Sequence, residues 1–570
     1  MFLHKAKKKD GRIYLTLMEA YRKDGKPANK TIKSLGYVDA LEEQYPDPIA
    51  YFTDYCKAQN ELAKQARQSV SIDIHPLQKI DKRTQNRKNI GSVALLSIYN
   101  AMNLEQLFRN VTRNKKTKFD LNAVVRLLVC ERILNPASKL KAWQNKDSYF
   151  FRTEFEEYDV YRALDILSSL RERVVSAINR YIDSLGIRDT SRAYYDVTNY
   201  YFEIDDPDEL RRYGVSKEHR KSPIVQMGLL QDKNAIPITY KLFSGNTNDC
   251  ETMLDVLYDM KKDYRCSRVI VVADKGNNTS TNIAACVGKG DGFVYSQSIR
   301  GTKSNKELRE WVTSDEGYKT KGDNFKIKSR QGYKSVTVQG PDGKPKKVDI
   351  EVKYVAFWSE KYALRARYER QKSLEKAHEL ISNPGAYSAA THYGAAKYIS
   401  GTHFDPKTGE ILEGARTLSL DEKRIRAEEA CDGYYCIVTS EYNMPDEEII
   451  ETYRGLWRIE ESFKVTKSDL VSRPVYCSTP EHIESHFLTC YVALCILRIL
   501  QLKCGNRYSA GEIADELSLM SGTNFDENWW CFDHRTDVTD DICSSLGIDL
   551  TQKFMQLKEI KDLLAQVNHK

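Results

Sequence analysis

The stretch RVIVVAD, residues 268–274, constrains the fold of this chain most. Five apolar residues follow one another without polar alternation and end on a carboxylate. Such a run marks a strand buried on both faces. A carboxylate at its end costs several kcal/mol unless it is paired, hydrogen-bonded or bound to metal. The flanking segments share the texture. AYYDVTNYYFE (193–203), PIVQMGLLQD (223–232) and AIPITYKLF (235–243) are rich in β-branched and aromatic residues and read as strands. NDCETMLDVLYDMKKDY (248–264) reads as a helix, with Asn248 and Glu251 at capping-box spacing. TSTNIAACVGK is a shorter helix, and GFVYSQ (292–297) a further strand. The order β-β-β-α-β-α-β predicts a mixed α/β sheet, in which sites form at the C-terminal ends of strands.

The rest of the 570 residues divides by texture. At about 150 residues per domain the length allows three or four domains. With 41% hydrophobic and 29% charged residues, a disordered or fibrous chain is excluded. Residues 1–45 read as a basic β-meander, with Ile13, Leu15 and Leu17 alternating with Tyr14 and Thr16, and Asp10-Gly11 and Asp24-Gly25 as turns. Residues 1–38 hold ten basic and three acidic residues, so they carry the whole formal charge of +7. Such a surface suits either a solvated hairpin or a phosphate-contacting appendage. Residues 46–90 read as a helix and a polar linker ending in DKRTQNRKN. Residues 91–190 are helical, with Asp120 capping a helix that stops at Asn135-Pro136 and a basic loop at 109–118. A DNA-binding unit and a scaffold both fit that region.

Residues 299–430 interrupt the α/β pattern and read as a strand-and-turn insertion. It is basic at 319–334 and has a charged helix near 359–381. GYYCIVTS (433–440) resumes the buried strands, and EEIIETYRGLWRIEESFKVTKSDL (447–470) predicts one long helix. The C-terminal region, 506–570, ends in an amphipathic helix with Phe554, Leu557, Ile560 and Leu564 on one face, suited to dimerisation or to its own core. No apolar core follows the basic start, so no secretory signal is expected. The longest apolar stretch, 487–500, contains Arg498, is too short to span a bilayer and predicts a buried helix. Thirteen Cys without a C-x-x-C pair point to reduced thiols in a cytoplasm and away from zinc.

Three acids stand out. Asp196 interrupts an aromatic strand, Asp274 ends the most apolar one, and Glu460 shares a helix face with Tyr453, Trp457, Lys464 and Lys467. Singly, each reads equally as a solvated or salt-bridged acid, Glu460 with Lys464 for example. Jointly they offer hard oxygen ligands with no His or Cys beside them, which suits Mg2+ or Mn2+. Two such ions support in-line phosphoryl transfer. His482 and His486, at i,i+4 spacing, lack an evident third ligand and read as structural or DNA-proximal.

YYDVTNYYFE, VVADKGNNTS and YRGLWRIEESFKVTK resemble the three motifs of bacterial insertion-sequence DDE transposases of the Tyr–Arg–Glu–Lys signature class. Tyr453, Glu460 and Lys467 fall on the signature. Leu456 stands at its Arg position, leaving Arg454 or Arg458 to supply the cation, and Glu461 is the other candidate acid. The resemblance, over roughly 190–505, implies an RNase H-like catalytic core in two parts, 191–298 and 431–505, around the insertion. It implies a metal-dependent DNA endonuclease and strand transferase. Asp196, Asp274 and Glu460 would hold two Mg2+ (or Mn2+) ions, and Tyr453, Arg458, Lys464 and Lys467 would touch DNA. The implied partners are the terminal inverted repeats, target DNA and a second copy on the paired ends, with no membrane, at the nucleoid of a bacterial cytoplasm. The stretch 319–334 would lie along the DNA, with Trp311 and Trp358 packed within the insertion or stacked on an unpaired base. A catalytically inactive or domesticated DNA-binding protein, and a nuclease that cuts without joining, are the alternatives.

Overall fold

The computed structural model describes residues 1–23, 26–65, 79, 85–113, 117–204, 206–214, 222–264, 268–301, 305–339, 344–383, 394–400, 418–473, 475–526 and 528–568. The Asp24-Gly25 turn, residues 81–84 of the linker, 114–116 of the basic loop and 384–393 and 401–417 of the insertion stretch lie outside these. The chain forms two units, Met1–Thr84 and Gln85–Lys570.

In the first unit, β1 (Phe2–Lys7), β2 (Ile13–Lys23) and β3 (Lys26–Tyr37) form an antiparallel meander in chain order. The alternation holds for Leu15 and Leu17, which are buried, whereas Ile13 is exposed. A bulge opens opposite Leu15 and Thr16, where Gly36 takes φ +118, a backbone that favours glycine. A short helix, Val38–Leu41, and a longer one, Pro48–Gln65, complete the unit. Lys5, Lys7, Lys8, Lys9, Lys30 and Lys33 are all exposed.

The second unit is built on a nine-stranded mixed sheet. Its strands are β5 (Arg192–Tyr201), β6 (Ile224–Asp232), β7 (Pro237–Ser244), β8 (Ile270–Ala273), β9 (Gly292–Ser296), β10 (Lys319–Thr320), β11 (Phe325–Gln339), β12 (Pro345–Ser359) and β15 (Tyr434–Thr439). Their order is β10-β11-β12-β15-β9-β8-β5-β6-β7. All four residues of β8 and all nine of β6 are buried, as the unbroken apolar run predicts. Period-2 alternation sorts β5: Tyr194, Tyr200 and Phe202 join a core shared with the helix Pro480–Lys503. Ala193, Tyr195 and Val197 face the helices Asp249–Tyr264 and Ser280–Gly288.

The stretch 299–430 adds to this sheet. Its long hairpin β11–β12 pairs through β12 with β15, and β15 with β9. Beyond the hairpin, the helix Glu360–Ser382, the two-residue strands β13 (Ile399–Ser400) and β14 (Ser419–Leu420) and the helix Glu422–Glu429 share a small core of their own.

Asp120 caps the helix Leu121–Leu134 by accepting from the Asn122 and Ala123 amides, and the helix ends before Asn135-Pro136 as predicted. The neighbouring helices are joined by β4 (Arg87–Asn89), which pairs with β16 (Ser521–Asp526). With β17 (Trp529–Phe532) and β18 (Phe554–Gln556) these make a second sheet. The last helix, Leu557–Asn568, buries Ile560, Leu564 and Val567 in the same core. Its apolar face is therefore taken up within the chain, and Phe554 is exposed in β18 instead of sharing it. The helix Pro480–Lys503 runs beyond the predicted stretch and is long and apolar enough to cross a membrane by length and composition. Yet 94% of its apolar window is buried inside the protein, the position of a core helix.

Candidate active site

The ladder between β5 and β8 is parallel and ends at Tyr194 beside Val272. Two residues further along each strand stand Asp196 and Asp274. Asp196 thus lies within β5 and Asp274 directly after β8, both past the same end of the parallel ladder. Asp196 is half-buried, and its Oδ1 accepts from the Val197 amide at 2.8 Å. Asp274 is exposed at the mouth of the sheet and opens the turn Lys275–Asn277.

The predicted long helix is broken. It runs Asp446–Arg454, turns at Gly455 and Leu456, resumes as Trp457–Lys464 and ends in a π turn, Val465–Asp469. At the break a Cβ on Gly455 would stand 2.3 Å from the Tyr194 hydroxyl, so only glycine lets the helix approach β5 this closely. Tyr453 lies in the first piece, Glu460 in the second and Lys467 in the π turn. Tyr453 donates to Asp274 Oδ1 at 3.2 Å. Lys467 Nζ donates to Thr198 Oγ1 at 2.7 Å, two residues past Asp196 on the same face of β5. Glu460, exposed, lies between these two contacts along the ribbon.

Sequence reasoning missed a hydrogen-bond chain behind Asp274. The Ser296 hydroxyl donates to Tyr435 at 2.9 Å, and the Tyr435 and Tyr453 hydroxyls meet at 2.7 Å. Burial first, then Tyr435 and Asp274, push the Tyr453 phenol far above its ordinary range, so it stays protonated and donates. The paired tyrosines of GYYC were the available signal, and only Tyr435 points this way. Arg365, on the helix Glu360–Ser382, was also missed. Its guanidinium pairs with Glu369 at 2.7 Å, which chiefly raises it, with a smaller electrostatic contribution from Glu460.

Glu461 points elsewhere, to Arg498 at 3.3 Å, and Arg498 is buried. Leu456, at the signature Arg position, belongs to the core. Arg454 lies over the Phe325 and Phe357 rings, at 5.5 and 5.8 Å, and Arg458 donates to the Lys233 carbonyl at 2.8 Å. Lys464 is exposed. His482 bonds Asp165 at 3.0 Å, while His486 is buried beside Lys139.

Much of the basic stretch 319–334 is turned inward. Lys328 is buried, donates to the Ser314 and Glu316 carbonyls and lies over Trp311 and Tyr318. Lys334 donates to Gln297, and Arg330 covers Trp311. Trp311 packs under Lys328 and Arg330 of its own segment, whereas Trp358 donates to the Asp432 carbonyl just beyond it.

Among the described residues no three His, Cys, Asp or Glu side chains stand close enough to hold a metal ion. The donor set of Asp196, Asp274 and Glu460 is all oxygen, which fits a hard divalent cation.

A mixed sheet carries Asp196 and Asp274 past one end of its parallel ladder, with Tyr453 of the broken helix bonded to Asp274. Residues 202–496, over half of the chain, match the family model of the transposase DDE domain, and residues 3–70 match that of the IS1634 family transposase N-terminal domain. The chain belongs to the insertion-sequence DDE transposases and is a DNA transposase. The DDE match contains Asp274 and Glu460 and begins six residues after Asp196. No curated protein matches the chain. Among solved structures, a piggyBac transposase synaptic complex with hairpin DNA aligns over 84% of this chain and 84% of its own. The identity is 8% and the TM-score 0.35. The Mos1 mariner paired end complex with Mn aligns over 44% and 68%, at 12% identity and a TM-score of 0.13. A pre-cleavage Mos1 transpososome aligns over 45% and 71%, at 12% identity and 0.14.

Proposed function

We propose that Asp196, Asp274 and Glu460 form the catalytic centre of a cut-and-paste transposase. It would bind the terminal inverted repeats of its element, cleave a strand to free a 3′-hydroxyl, and join that hydroxyl to target DNA. The carrying observation is the helix ribbon that ties Tyr453 to Asp274 and Lys467 to Thr198, two residues past Asp196, with Glu460 between them in sequence. The strand order β7-β6-β5-β8-β9, three antiparallel and two parallel, supports an RNase H-like core. The three carboxylates would hold two Mg2+ or Mn2+ ions. Bound there, such ions activate the attacking hydroxyl and stabilise the leaving oxygen.

The chain's own groups do the rest. Tyr453, fixed by Tyr435, orients Asp274. Lys464 and Lys467 lie where phosphates beside the cut would pass, and Arg458, tied to the Lys233 carbonyl, contributes less. The protein would act as a homodimer on paired ends in the bacterial cytoplasm. The test is incubation of a labelled element end with the full chain and Mg2+. Cleaved and joined products are expected, and cleavage without joining would point to a nuclease instead.

Two further outcomes are expected. Tyr453→Phe removes the donor to Asp274 and should slow cleavage about 10- to 100-fold, the usual effect of losing a partner that orients a metal ligand. DNA affinity, read by mobility shift, should hold. Deleting residues 1–38 should weaken end binding and flatten its salt dependence. The slope of log K against log salt should drop by roughly 3 to 5 if four or five of the exposed lysines neutralise phosphates. An unchanged slope would show that the meander does not grip DNA.

A further inference from the structure

A second basic site lies outside the carboxylate centre. A cavity of about 310 Å3 opens where the end of Leu121–Leu134, the helix Lys139–Gln144, the segment 471–478 and the start of Pro480–Lys503 meet. Arg132, Lys139, Arg473, His482 and His486 line it, Tyr476 stands exposed at its edge, and none of its lining residues is an Asp or Glu.

Lys139 is the central observation. It is 8% exposed, and its Nζ donates to His486 Nδ1 at 3.2 Å. His486 in turn donates from Nε2 to the Ser472 carbonyl at 3.1 Å, which fixes Nδ1 as the acceptor. An ammonium has three donors, and a buried one without a carboxylate carries a heavy desolvation cost. Burial first, then Arg132, draws the Lys139 amine down to about 8. Arg132 contributes a second unanswered donor. Its terminal nitrogens hold the Leu470, Val471 and Ala137 carbonyls, while its buried Nε has no partner. The carbonyls it clamps belong to a strained turn, since Val471, β-branched, takes φ +41. His482, also in the lining, is already answered by Asp165.

We propose that this cavity binds a phosphate group of DNA, with Lys139 and Arg473 as its charge partners and Tyr476 at the mouth against the attached nucleotide. Lys139 and Arg132, both buried and with no carboxylate among their described partners, make a site whose missing member is an anion, and phosphate is the anion a DNA transposase meets. An aromatic beside cations is the usual setting for an unpaired nucleotide. The site is tied to the catalytic ribbon through hydrogen bonds from Tyr200 to Thr466, Ser472 to Thr466 and His486 to Ser472. The proposal rests on the chain acting on DNA and not on the assignment of the three carboxylates.

The test uses the full chain without cleavage. Thermal unfolding in sodium phosphate is compared with sodium chloride at equal ionic strength, for wild type and Lys139→Met. Phosphate should raise the wild-type Tm by about 2 °C or more, as ligand binding to the folded state requires, and leave the variant unmoved. Arg473→Gln is the second variant should Lys139→Met not fold. Anisotropy with single-stranded oligonucleotides bearing or lacking a 5′-phosphate then separates the sources. A preference for the phosphorylated strand that the variant loses assigns a terminal phosphate. An equal loss for both strands assigns an internal phosphodiester. No phosphate shift in wild type, equal shifts in wild type and variant, or oligonucleotide affinity unchanged by the substitution would each overturn the proposal.

Discussion

Asp196→Ala and Asp274→Ala should each lower cleavage of a labelled element end by about 10³-fold, while end binding persists. Both residues stand past the same end of the parallel β5–β8 ladder, and in the proposed centre each would supply oxygen donors that the other cannot replace. Cleavage and strand transfer should fall together, because both steps would use one centre. A mobility shift measured alongside separates lost chemistry from lost binding. Thermal unfolding of the variants checks that the sheet is intact. If Asp196→Ala cleaved like the wild type, the site would lie elsewhere.

Glu460 and Glu461 should respond in opposite ways. Glu460→Gln keeps the shape of an exposed side chain and removes its charge, so stability should hold while cleavage falls by about 10²- to 10³-fold. Glu461→Ala strips the partner from Arg498, a buried guanidinium that also bonds Ser462 and Gln501. An uncompensated buried charge is strongly destabilising. Glu461 is itself 30% exposed, so the loss is discounted to about 2 kcal/mol by urea unfolding. Per folded molecule, Glu461→Ala should still cleave. The reverse pattern would move the acid one residue along.

The sheet around the site was legible because each strand carries its own signal. RVIVVAD is buried from Val269 to Ala273, and the aromatic alternation of 193–203 sorts to two faces. That Asp196 and Asp274 stand past the same end of one ladder is something no single segment reveals, because it emerges only when β5 and β8 pair. The break at Gly455 was hidden for a similar reason: helical spacing says nothing of the Tyr194 hydroxyl that a side chain there would strike. The stretch 299–430 read as foreign texture, yet its hairpin extends the sheet through β15, a pairing set by distant partners. Its lysines read as a DNA-facing run. Lys328 and Lys334 instead lay their stems across aromatic and polar neighbours and spend their charge on carbonyl and amide oxygens of their own chain.

The central claim is that two strand aspartates and one helix glutamate serve a single metal centre. Iron-directed backbone cleavage tests it most directly. With Fe2+ and ascorbate in place of Mg2+, bound iron should cut the protein near residues 196, 274 and 460 together, and excess Mg2+ should suppress all three cuts. Cuts near 196 and 274 without one near 460, or no cut that Mg2+ suppresses, would contradict the account.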